Sequence, residues 1–177
     1  MGSLLVPELS QALSRFAIVA PTERDLLAFL EAASFELTTE LGPGQALDLR
    51  TTALKEGPLR AWMSFTLGRR GRLDVRLSVY GIALEAGLPS SELLNSADGY
   101  FFHMPPGRQA ADALLRLEWS PEARKKPALL TGLGQAAETD LQAQALRAWS
   151  TRHFPYLLEI PTEDRPLSRG LDWLLSF

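Results

Sequence analysis

"LRAWMSFTLGRRGRLDVRLSVYG", residues 59–81, holds two runs of strict alternation joined at a turn of glycine and arginine. Leu59, Ala61, Met63, Phe65 and Leu67 fall on one side of the first run, and Leu73, Val75, Leu77 and Val79 do the same in the second. Alternation with period two is the mark of a half-buried strand. A connection this short joins antiparallel neighbours, because a parallel pair needs a crossover of about a dozen residues. Leu47 and Leu49 alternate with Asp48 and Arg50 before the KEGP turn, so three consecutive antiparallel strands are expected.

The other side of the hairpin is chemically richer. Arg60, Trp62, Ser64 and Thr66 share it on the first strand, and Asp74, Arg76, Ser78 and Tyr80 on the second; Arg69, Arg70 and Arg72 crowd the turn. Arginines interleaved with aromatics suit a nucleic-acid platform, where each stacked base contributes about 1–3 kcal/mol. The same residues suit a protein partner, or a solvated sheet face in which Asp48 and Asp74 pair with the arginines. An exposed Trp62 needs a cover, so Arg60, Trp62, Arg69, Arg70, Arg72, Arg76 and Tyr80 form the candidate docking surface.

Working outward, Leu5, Leu9, Leu13 and Phe16 recur at near-helical spacing and predict an amphipathic helix in an amino-terminal arm over residues 1–20. In PTERDLLAFLEAA, Thr22 is placed to cap a second helix with Asp25 completing the capping interaction, and Leu26, Phe29, Leu30 and Ala33 face inward. PSSELLNSAD predicts a helix of two or three turns capped by Ser90 or Ser91. YFFHM and DALLRLEW, separated by PPGRQ, predict two further strands. ETDLQAQALRAWSTRHF carries Leu141, Ala145, Ala148 and Trp149 at helical spacing. The main domain is expected over residues 21–160, followed by a carboxy-terminal apolar arm, 161–177.

The order of elements in DLLAFLEAA, ALDLRTTA, LRAWMSFTLG, RLDVRLSVYG, SSELLNSADG, YFFHM, DALLRLEW and LQAQALRAW resembles that of the YbjN family and, more distantly, the type III secretion chaperones. The resemblance implies an α+β fold in the order α-α-β-β-β-α-β-β-α, an antiparallel sheet of about five strands with helices packed largely on one face. It also implies a bacterial, non-enzymatic, dimeric protein that presents a sheet and its flanking helices to a protein partner. The chain carries a single asparagine, Asn95, near the middle helix, where many such sequences have a pair.

Composition narrows the function classes. A net charge of -3 gives no whole-protein case for phosphate neutralisation. The absence of cysteine excludes disulfides, thiolate metal sites and a cysteine nucleophile. No run of about 20 apolar residues suggests a membrane span, the opening residues lack a secretory pattern, and Val6 breaks the myristoylation motif. A cytoplasmic location is expected.

Catalytic signals are sparse. His103 lies in an aromatic strand and His153 near a helix end, neither with a second ligand at metal spacing; no metal site and no cofactor are expected. Gly132, Gly134 and Ala137 spell G-x-G-x-x-A before a helix, with Glu159 farther on, which in a dinucleotide fold would seat a pyrophosphate and a ribose hydroxyl. The remaining length is short for such a fold, and a glycine-rich loop into a capped helix is the simpler reading. Leu171, Trp173, Leu174 and Phe177 give the terminal arm an apolar side suited to docking on its own chain or on a second copy.

Overall fold

Phe16, Ala17, Ile18, Val19 and Ala20 form an uninterrupted apolar run closed by Pro21, and all five are buried. Such a run suits a strand with parallel neighbours and cover on both faces. In the computed structural model, which describes residues 12–41, 57–70, 73–105, 110–133, 140–160 and 173, it lies within β1 (Ala12–Ala20), in the interior of a six-stranded sheet. The elements that follow are α1 (Glu23–Leu41), β2 (Leu59–Arg70), β3 (Leu73–Ala83), a 3-10 turn (Leu84–Ala86), α2 (Ser91–Asn95) and β4 (Gly99–His103). Then come α3 (Ala110–Leu115), α4 (Pro121–Arg124), β5 (Ala128–Thr131), α5 (Leu141–His153) and β6 (Leu157–Ile160).

The strand order is β2-β3-β1-β4-β5-β6. β1 runs parallel to both β3 and β4, β4 to β5 and β5 to β6, and only β2 is antiparallel to its neighbour β3. The chain is thus a mixed α/β protein with a mostly parallel sheet, in place of the expected five-stranded antiparallel one. The hairpin itself forms as its alternation required: Met63, Phe65 and Leu67 stand opposite Val79, Leu77 and Val75. The strand expected at Leu47 and Leu49 lies outside the described residues.

Helices cover both faces rather than one. Ala17, Val19, Ile82, Tyr100, Phe102, Ala128 and Leu130 pack beneath Leu94 of α2, Leu114 of α3, and Ala143 and Leu146 of α5. On the reverse face Phe101 meets Phe16 edge-on, ring centroids 6.0 Å apart, and Phe29 of α1 at 6.3 Å. Thr22 caps α1 as its position predicted: its Oγ1 accepts from the Asp25 N–H at 3.1 Å and donates to Asp25 Oδ2 at 2.7 Å. Ser90 caps α2, accepting from the Leu93 N–H at 3.2 Å, but that helix has only five residues.

Two expectations reverse for local reasons. The near-helical spacing of Leu13 and Phe16 was outweighed by Ile18, Val19 and Pro21, which favour an extended segment and end it. The boundary expected at residue 20 therefore falls between an interior strand and its helix. DALLRLEW is not a strand: Ala110, Ala111, Ala113 and Leu114 are strong helix formers and start α3. Leu117 and Trp119 are buried beyond its end, on the way to Ser120, which caps α4. Helices between successive strands are what make parallel pairing possible here.

Candidate functional site at the carboxyl edge of the sheet

Open parallel sheets bind ligands beyond the carboxyl ends of their strands, where successive connections leave in opposite directions. From β1 the chain crosses to β3 on one side, and from β3 it returns to β4 on the other, so that position lies at the ends of β1 and β4. The residues that meet there are Pro21, Thr22 and Glu23 after β1, Glu85 after β3, His103 ending β4, and Thr131 and Gly132 at the end of β5.

Only Pro21 and Thr22 separate β1 from α1. A phosphate-cradling G-x-x-x-x-G-K-[ST] loop needs eight residues with two glycines and a lysine, and this link has none of them. Two of the free N–H groups that open α1 are instead taken by the chain's own oxygens. Glu23 N–H donates to Glu85 Oε1 at 2.7 Å, and Asp25 N–H donates to Thr22. Glu85 is held in turn through its own N–H, which donates to the Pro21 carbonyl at 2.9 Å. At α5 the arrangement repeats, because Asp140 Oδ1 accepts from the Gln142 N–H at 2.8 Å. A helix amino terminus attracts an anion, and in both helices a resident carboxylate or hydroxyl meets that demand.

His103 ends β4, beside the crevice. Its ring lies 4.7 Å from that of Phe29, and its Nδ1 shares a hydrogen bond of 3.0 Å with Thr131 Oγ1. Burial pushes the imidazole down to about 4, with Asp25 opposing the shift. The group is neutral near pH 7 and a weak base, poorly matched to proton abstraction at that pH. Among the described residues no cluster of three or more His, Cys, Asp or Glu could hold a metal.

The lowered value has a thermodynamic signature. The unfolded chain takes up this proton near pH 6.5 and the native one only near pH 4. Between those values the unfolded state binds more protons, so stability falls on acidification. The difference amounts to about 3 kcal/mol when complete. Urea titrations at pH 7, 5.5 and 4 are expected to show a steeper loss in the wild type than in His103→Asn. Parallel curves would contradict a buried neutral histidine.

The hairpin residues divide. Trp62 stands opposite Tyr80, and Thr66 opposite Arg76, so the backbone places the candidate residues on one face as expected. Tyr80 is half-buried and Ser78 buried, which shows that the β3 side of this face is covered rather than solvated. Arg60 leaves the group: two residues of β2 answer one of β3 between Leu59 and Ala61, and this bulge breaks the alternation. Arg60 Nη1 donates to the carbonyls of Gly57 at 2.5 Å and Leu59 at 3.1 Å, while Nε lies 3.6 Å from Glu23 Oε2. Its role is to tie β2 to the start of α1. Arg69 and Arg70 end β2; Arg72 lies outside the described residues.

The glycine-rich signal also comes apart. Gly132 directly follows β5 and adopts a φ of 92°, and the segment does lead into a capped helix between parallel strands. Glu159, however, is engaged by Arg147 through two bonds, Nε to Oε2 at 2.8 Å and Nη2 to Oε1 at 2.5 Å. Gly134 and Ala137 lie outside the described residues, as do Leu171, Leu174 and Phe177 of the terminal arm; Trp173 is helical and half-buried.

No family model matches the chain, and no curated protein matches it. The functional reading rests on the crevice and the sheet edge. Glu85 was not distinguishable in the sequence, since LEAG carries no motif and its partner is 62 residues away. Thr22 and Asp25 were legible as a cap but not as occupants of a ligand position, because the strand order was needed to see that position.

Proposed function

We propose that the chain is a non-enzymatic, protein-binding domain of the adaptor type, built on a sheet of the phosphate-binding kind whose phosphate position is filled by its own side chains. Without β2, the order β3-β1-β4-β5-β6 is the doubly wound, flavodoxin-like order. The antiparallel edge strand β2 is an addition to that order, and the likeness is one of fold and not of site. The observation that carries the reading is the Glu85 carboxylate on the first turn of α1, where such folds receive an anion.

Protein binding is supported by the sheet's edge. Among the described residues β2, twelve residues long, lies at the end of the strand order, and it is this edge that we assign to an extended partner segment. Trp62 is a residue of that edge strand, opposite Tyr80 in the register. The resemblance to the YbjN family implied the same role; here it rests on the edge strand. No helix among the described residues is long and apolar enough to cross a membrane, and a cytoplasmic adaptor with no cofactor is the proposed setting.

Two measurements test this. Thermal melts with 1 mM GTP, GDP or ATP and magnesium are expected to show no shift, whereas a ligand with a dissociation constant of ~10 µM would raise the midpoint by roughly 5–10 °C. Such a shift would overturn the non-enzymatic reading. Affinity capture from the native lysate, with and without nuclease, should recover a protein that survives nuclease and is lost with a Trp62→Ala, Arg76→Ala variant. Recovery abolished by nuclease would favour nucleic-acid binding instead.

A further inference from the structure

The helix α5 turns to solvent three of the four residues whose spacing marked it as a helix. Ala143, Leu146 and Ser150 are its buried positions. Leu141 is 79% exposed, and Ala145, Ala148 and Arg152 are exposed as well. Their spacing of four, three and four residues sets them in one row along the helix. Beside the row, Trp149 is half-buried, its ring stacked 4.8 Å from His153, whose Nδ1 is held by the Trp149 carbonyl at 2.9 Å. Ala145, Ala148, Trp149, Arg152 and His153 line a groove of about 270 Å³.

Ala145, Ala148, Trp149 and Arg152 stand at positions i, i+3, i+4 and i+7. That is the four-residue hole into which a knob from a facing helix inserts. The row also carries a knob, Leu141, one to two turns before the hole. We propose that this face is a two-fold interface between copies of the chain, in which two α5 helices lie antiparallel and each Leu141 enters the other copy's hole. The centre of the hole falls between residues 148 and 149, so the two-fold axis passes at about Ala145. The small side chain there lets the backbones approach.

Charge agrees with this direction and with no parallel one. Asp140 opens the helix and Arg152 lies in its last turn. Antiparallel pairing brings each Asp140 towards the other copy's Arg152 and opposes the two helix dipoles. Parallel pairing would set like charges side by side. Arg147, the other cation of the helix, is engaged by Glu159 within its own chain. A partner of another kind has no comparable match, since knob and hole are supplied by one surface. The interface is on a different element from the β2 edge and does not depend on the adaptor reading.

One helix pair is at the small end of protein interfaces, so dissociation on the order of 10 µM is expected. Sedimentation velocity from 2 to 200 µM should show the wild type passing from monomer to dimer and Ala145→Arg remaining monomeric with an unchanged melting midpoint. Because the chain has no cysteine, Ala145→Cys offers a positive test. Two such residues on the axis should form a disulfide dimer under mild oxidation, while Leu88→Cys, exposed elsewhere, should not. A wild type that is monomeric at 200 µM overturns the proposal. So does a dimer that persists in Ala145→Arg, or an Ala145→Cys protein that crosslinks no better than Leu88→Cys.

Discussion

Gly132→Ala is expected to cost about 3–5 kcal/mol and to lower the melting midpoint by roughly 10 °C. Two penalties coincide at this position. The backbone has a φ of 92°, a region that a side chain occupies only with strain. A Cβ would also stand 2.8 Å from the carbonyl carbon and 2.9 Å from the oxygen of Met104, and 3.0 Å from the nitrogen of Pro105. Those atoms belong to backbone and cannot swing aside as a flexible side chain would. Gly87 separates the two effects, because its φ is 134° but nothing lies within 4 Å of its Cβ position. Gly87→Ala should therefore lose only about 1–3 kcal/mol. Equal losses in the two variants would mean that the ends of β4 and β5 do not approach as closely as described.

Phe154→Ala is expected to lose a comparable amount, about 3–5 kcal/mol. Phe154 follows α5 directly and is 1% exposed. Its ring centroid lies 5.1 Å from Trp119, 5.2 Å from Phe102, and 5.9 Å from both Tyr100 and Trp149. Truncation thus opens a cavity at the meeting point of four rings. Tyr100 cannot relax into the space freely, since its hydroxyl donates to the Leu94 carbonyl at 2.8 Å and burial pushes the phenol well above its usual range. Phe154→Leu keeps most of the volume and should lose about half as much. Chemical denaturation of both variants reads the difference. A loss below about 1.5 kcal/mol for the alanine would show that this aromatic group closes up without Phe154.

What the sequence revealed follows the range of each interaction. The hairpin of β2 and β3, with its apolar rows in register, and the caps at Thr22 and Ser90 arise from contacts within a few residues, and local pattern captures them. Strand direction is different. Phe16 to Ala20 look alike whether their neighbours β3 and β4 run parallel or antiparallel, and the answer depended on the crossovers through α1 and α2 that bring those strands back in the same direction. For α5 the helix was legible from the spacing of Leu141, Ala145, Ala148 and Trp149, but the side it buries was not: its buried positions are Ala143, Leu146 and Ser150. A helix with small residues on both sides has too weak a contrast for periodicity to choose. The closed crevice was least accessible, because Glu23 and Glu85 meet only after β1 and β3 have paired.

The interior position of β1 also bears on how the chain is made. Its two neighbours, Val75–Ala83 and Gly99–Phe102, leave the ribosome long after it does. Until they emerge, the apolar run from Phe16 to Ala20 has no sheet to join, and distant pairing of this sort is slow. The β2–β3 hairpin, closed by a short turn, can form early and offer β3 as a template to the waiting strand. During synthesis the exposed run is a target for chaperones and for self-association, and truncation before residue 99 would leave it with a neighbour on one side only.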